Sequence, residues 1–64
     1  MTLEEYLAKG PEDQRERQYR RVVELTTIMQ QAGLTFEKCE YASNEPSVAV
    51  IIEMKYDDAA LVVY

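Results

Sequence analysis

The last nineteen residues constrain this chain most. From Pro46 to Tyr64 they read as a β-hairpin: Ser47 to Tyr56 as one strand, Asp57-Asp58 as the turn, and Ala59 to Tyr64 as the returning strand. In the first of these strands Val48, Val50, Ile52, Met54 and Tyr56 alternate with Ala49, Ile51, Glu53 and Lys55. A period of two places alternate side chains on opposite faces of a sheet. The returning strand is apolar at nearly every position, a pattern expected of a strand buried on both sides. A hairpin alone is not stable in water and needs a third strand or a helix to cover its apolar face. The rest of the chain must supply that cover.

Thr2-Leu3-Glu4-Glu5 has the spacing of a capping box, with Thr2 accepting from the amide of Glu5 and Glu5 reaching back to Thr2. Gly10 is a natural helix terminator, so a short helix is expected over Leu3 to Lys9, with Leu3, Tyr6 and Leu7 on one face. Pro11 suits a first helical position, and Glu12, Asp13 and Glu16 suit the positive end of a helix dipole. A second helix is therefore expected from about Pro11 to Ala32, closed by Gly33, with Tyr19, Val22, Val23, Leu25, Ile28, Met29 and Ala32 as its apolar positions. Its first two turns carry no large apolar side chain and are expected to project beyond the sheet. Leu34 to Tyr41 reads as a strand whose alternation slips by one. A bulge near Glu37-Lys38 would bring Leu34, Phe36, Cys39 and Tyr41 onto one face, and the alternative is a strand with one fully solvated face. Ala42 to Pro46 carries turn chemistry.

These elements define a single α+β domain over residues 1–64, in the order α-α-β-β-β. A short helix and a long helix precede a three-stranded antiparallel meander packed on the long helix. The expected core is Val22, Leu25, Met29, Phe36, Val50, Ile52, Leu61 and Val63, with Leu3 and Leu7 at its margin. A chain of this length buries only roughly 60% of its unfolded surface, and its core supplies about 3–5 kcal/mol. Small domains often add a disulfide, a metal or a partner. Here Cys39 is the only cysteine and there is no histidine, which excludes an internal disulfide and argues against a metal site, so a partner is the expected addition. The lone cysteine, the acidic start and the lack of a ~20-residue apolar run point to a cytoplasmic protein with no membrane segment.

The formal charge is −5. Six acids and five bases nearly balance in residues 1–33, whereas residues 34–64 carry six acids against Lys38 and Lys55. Acidity on strands and their turns protects edges and favours solubility. It also forms a docking face for a basic protein surface, and the candidate partner-binding residues are Glu37, Glu40, Tyr41, Glu53, Tyr56, Asp57 and Asp58. Tyrosine suits such a face because it combines a large ring with a polar tip. Metal binding by Glu53, Asp57 and Asp58 lacks the loop spacing calcium requires. The alternative contact surface is the arginine set Arg15, Arg17, Arg20 and Arg21. It is interleaved with acids at i, i+4 spacing (Asp13 with Arg17, Glu16 with Arg20), the pattern of a self-neutralising solvated face. Two helices and a hairpin could form a small winged helix, but the acidic tip Asp57-Asp58 would repel phosphate.

No catalytic constellation is present. Cys39 has no histidine to activate it, and a carboxylate pair would need a cleft that so thin a core hardly forms. The chain reads as a non-enzymatic, cofactor-free protein-binding module. In size, acidity and lack of catalytic groups it resembles the small inhibitors that phages and mobile elements encode against host machinery; the likeness is one of composition. The alternative is an obligate homo-oligomer, such as a homodimer, paired through the C-terminal strand. Weak nucleic-acid binding through the arginine-rich helix is a third reading.

Overall fold

The computed structural model describes residues 1–12, 14–44 and 47–64. Its elements follow the expected order: α1 (Leu3–Lys9), α2 (Glu16–Gln31), β1 (Phe36–Asn44), β2 (Ser47–Met54) and β3 (Ala60–Val63). The strands form an antiparallel sheet in the order β1-β2-β3. Both helices lie against one face of it.

The capping box forms. The Thr2 hydroxyl accepts from the Glu5 amide at 3.1 Å, and the Glu5 carboxylate accepts from the Thr2 amide at 3.0 Å. Hydrogen bonding from the Thr2 amide, and then from the Thr2 side chain, holds the Glu5 carboxyl below its ordinary range. Gly10 ends α1 with φ 79°, open to glycine but strained for other residues. Gly33 (φ 92°) closes α2. The Gly33 amide donates to the Gln30 carbonyl and the Leu34 amide to the Met29 carbonyl, the two bonds of a Schellman motif.

Helix α2 begins at Glu16, not at Pro11. The Arg15 amide instead donates to the Glu12 carbonyl at 2.9 Å, closing a turn, and Lys9 pairs with Glu12. The start signals at Pro11 are overridden by this turn. As a turn, the segment lets Arg15 lie over the Tyr41 ring, 5.4 Å from its centre. No helical projection beyond the sheet results. The expected Asp13–Arg17 pair falls on a residue outside those described; Glu16–Arg20 forms at 2.7 Å.

Strand β1 starts and ends later than expected. The helix closure uses Leu34, and Ala42, Ser43 and Asn44 pair with Ala49, Val48 and Ser47 rather than turning. The rest of the expected turn, Glu45 and Pro46, lies outside the described residues. The register slips between Phe36 and Lys38, where the bulge was expected. Beyond it Cys39 and Tyr41 oppose Ile52 and Val50 on the helix-facing side. Strand β2 stops at Met54, short of the expected Tyr56, although the Lys55 amide still donates to the Thr35 carbonyl, opposite it in the Phe36–Met54 register, at 2.9 Å.

The core joins Leu3, Tyr6, Val22, Cys39, Val50, Ile52 and Val63, with Leu25, Phe36 and Leu61 packed against it. Met29 is only half-buried. Leu3 is more than marginal: α1 delivers it and Tyr6 into the centre. The expectation that β3 is buried on both sides fails. Val63 is buried, but Ala60 is exposed and Val62 is 43% exposed, because one helix layer covers one face only.

Candidate functional site

Strand register divides the sheet into two faces. The inner face, under the helices, carries Phe36, Cys39, Tyr41, Val50, Ile52, Leu61 and Val63. The outer face carries Lys38, Glu40 and Ala42 from β1, Ala49, Ile51 and Glu53 from β2, and Ala60 and Val62 from β3. Two rows cross it, Glu40–Ile51–Val62 and Lys38–Glu53–Ala60. No described helix covers them. Its centre is therefore aliphatic (Ile51 half-buried, Val62 exposed), and carboxylates flank that centre.

Most of the candidate acids gather around this face. Glu40 and Glu53 lie on it, diagonal neighbours across the β1–β2 pair. Glu37 sits at the bulge, at the end of the sheet where β2 passes to β3. Asp57 and Asp58 lie in the β2–β3 connection. With Glu53, Met54, Ala59 and Ala60 they line a shallow concavity of about 310 Å³. All five acids are exposed. Among the described residues no three cysteine or carboxylate side chains converge as a metal set.

The two candidate tyrosines part company. Tyr56 is 77% exposed in the β2–β3 connection, beside the acids, with the Lys55 ammonium 5.4 Å from its ring. Tyr41 is on the inner face, half-buried, away from the acids. Its ring meets Tyr6 edge-on at 6.1 Å; Tyr6 in turn lies 5.6 Å from Tyr19, whose hydroxyl donates to the Leu7 carbonyl at 2.6 Å. Lys9 and Arg15 lie over the outer side of Tyr41. Burial, then the neighbouring Tyr41, Cys39 and Tyr19, push the Tyr6 hydroxyl up to about 12. Burial also raises the Cys39 thiol, which keeps it protonated and unreactive.

Of the alternative arginine set, Arg15 lies over Tyr41 and lines one concavity with Arg17, Arg20 bonds Glu16, and Arg17 and Arg21 are exposed one turn apart on α2. Gln18 stands among the arginines in sequence but not on their solvated face. Gln18 is 8% exposed, and its amide nitrogen donates to the carbonyls of Val48 at 2.7 Å and Val63 at 3.2 Å, joining α2 to the ends of two strands. Its place one turn before Val22, in line with Leu25 and Met29, was the available signal.

No protein-family model, curated protein or solved structure matches this chain. Among the described residues no helix is long and apolar enough to cross a membrane.

Proposed function

We propose that this chain is a small, non-catalytic protein-binding module that uses the outer sheet face to occupy a basic surface on a larger protein, as an inhibitor or regulator of a cytoplasmic complex. One observation carries this reading: the sheet face left bare by the helices has an aliphatic centre, Ile51 and Val62, flanked by Glu40 and Glu53 and edged by Glu37, Asp57 and Asp58. An apolar centre with a charged rim is the anatomy of a protein interface. The rim's negative sign calls for lysine and arginine opposite, and sets the association rate and its salt dependence. Tyr56 extends the rim. Tyr41 drops out of the contact set, because its ring is committed to the core.

The test is affinity capture from cell lysate with wild type and the Glu40→Lys/Glu53→Lys double variant, followed by identification of captured proteins. The expected result is a discrete partner with a basic surface, captured more weakly as salt rises and lost in the double variant, whose fold by circular dichroism is unchanged. Equal capture by both proteins would remove the outer face from the interface.

A further inference from the structure

The two edges of the sheet are not equivalent. The outer edge of β1 is covered at Lys38 and Cys39 by the chain's own first residues: the Cys39 amide donates to the Met1 carbonyl at 2.7 Å, and Thr2 bridges to Lys38. The outer edge of β3 has no such cover among the described residues. The Met54 amide donates to the Ala59 carbonyl, and from that pair the antiparallel alternation runs on. Leu61 and Val63 bond inward to Ile52 and Val50, while the amide and carbonyl groups of Ala60 and Val62 face outward. Ala60–Val63 contains no charge, proline or bulge, the usual devices that keep an open edge from pairing.

Charge along this edge is polarised. The β3 strand starts just after Asp57 and Asp58. At its other end Gln18 ties the start of α2 to the Val63 carbonyl. The flank of α2 carrying Tyr19 faces α1, so the opposite flank overhangs the β3 edge. There Gln14 and Arg17 share a concavity of about 350 Å³ with Val48 and Tyr64. Arg21 follows one turn on, then Leu25 and the 57%-exposed Ile28. One end of the edge is acidic, the other basic, and the middle aliphatic.

We infer that β3 pairs with β3 of a second copy about a two-fold axis near Val62, giving a continuous six-stranded sheet. Antiparallel pairing in that register sets Val62 opposite Val62 and Ala60 opposite Tyr64, so the outward backbone groups meet. It brings Asp57 and Asp58 of each copy beside Arg17 and Arg21 of the other, and gathers Leu25, Ile28 and Leu61 of both copies under the seam. A two-fold contact must be complementary to itself, and an edge carrying opposite charges at its two ends meets that condition. The pairing is independent of any foreign partner. It leaves Glu40, Ile51 and Glu53 uncovered, so the two outer faces become one.

The test is solution mass by light scattering from low micromolar to millimolar concentration, on the purified chain alone. Wild type is expected to rise from monomer to twice the monomer mass, and less readily at high salt. Arg17→Asp/Arg21→Asp and Asp57→Arg/Asp58→Arg are each expected to weaken dimerisation at least about tenfold (about 1.4 kcal/mol), and the four changes combined to restore it. Val62→Pro, which removes an outward amide that no strand of the same copy uses, should stay monomeric. Glu40→Lys/Glu53→Lys, which disrupts the proposed foreign interface, should dimerise like wild type. A wild-type chain that remains monomeric at millimolar concentration would overturn the inference, as would a dimer indifferent to both Val62→Pro and the charge reversals.

Discussion

At the scale of single residues the burial of polar groups sets most of the character of this protein. Gln18 shows both sides of the balance. Its amide nitrogen satisfies two carbonyls at the ends of β2 and β3, which fixes which way the amide points, and its oxygen is then buried without a hydrogen-bond partner among the described residues. An unmet carbonyl costs about 1–3 kcal/mol, so the clamp contributes register more than stability. Tyr6 shows the same principle in a titrating group. Burial beside Tyr41 and Tyr19 raises its folded-state pKa to about 12 from an ordinary value of 10. The neutral phenol is the form the fold prefers, so its contribution is fully present below pH 10 and is lost as pH climbs from 10 through 12. At about 1.4 kcal/mol per unit, the loss is about 2–3 kcal/mol, comparable to the stability of a domain this small. Urea midpoints measured across that alkaline range should fall steeply for wild type and more gently for Tyr6→Phe. Parallel curves for the two proteins would mean that another group drives alkaline unfolding.

At the scale of elements, what was legible depended on whether a local signal or a tertiary contact decided the outcome. The capping box, the Gly33 closure, the bulge before Lys38 and the alternation of β2 are local, and each stood in the sequence as a residue pattern. The start of α2 was not legible in this way. Pro11, Glu12 and Asp13 carry favourable start signals, yet the turn closed by Glu12 and Arg15 prevails because it lets Arg15 stack on Tyr41, a residue remote in sequence. The fate of β3 was likewise tertiary: apolar on both faces, it nonetheless lies at an open edge under one helix layer. Helix α1 tests how much a local signal contributes. Seven residues are too few for a helix to persist alone, so the cap and the burial of Leu3 and Tyr6 must act together. Thr2→Ala keeps the backbone bridge to Lys38 but removes the hydroxyl. It should lower stability by about 1 kcal/mol, seen as a lower urea midpoint at unchanged slope. A midpoint equal to wild type would mean that docking alone holds α1 in place.

At the scale of the whole molecule, the charge pattern of the candidate face was legible and its geometry was not. Exposed acids announce themselves in composition. Which of them share a surface follows only from register and from the side the helices take, and that is what separates Tyr41 from Glu40, its neighbour in sequence but on the opposite face. The same arrangement concentrates stability in one strand. β2 is paired on both edges, and Val50 and Ile52 are fully buried beneath the helices. Ile51, between them, points to the uncovered face. Truncating a buried isoleucine to alanine costs about 2–5 kcal/mol, against a total of about 3–5 kcal/mol for a domain of this size without a disulfide. Ile52→Ala should therefore leave much of the chain unfolded at room temperature, with weak far-ultraviolet circular dichroism and no cooperative melt. Ile51→Ala, one residue away, should melt cooperatively within about 1 kcal/mol of wild type, because its side chain is only half-buried. If the two variants were equally damaging, the outer face would be as closely packed as the inner one. That could hold only if something already covered it, such as a second copy seated face to face rather than edge to edge.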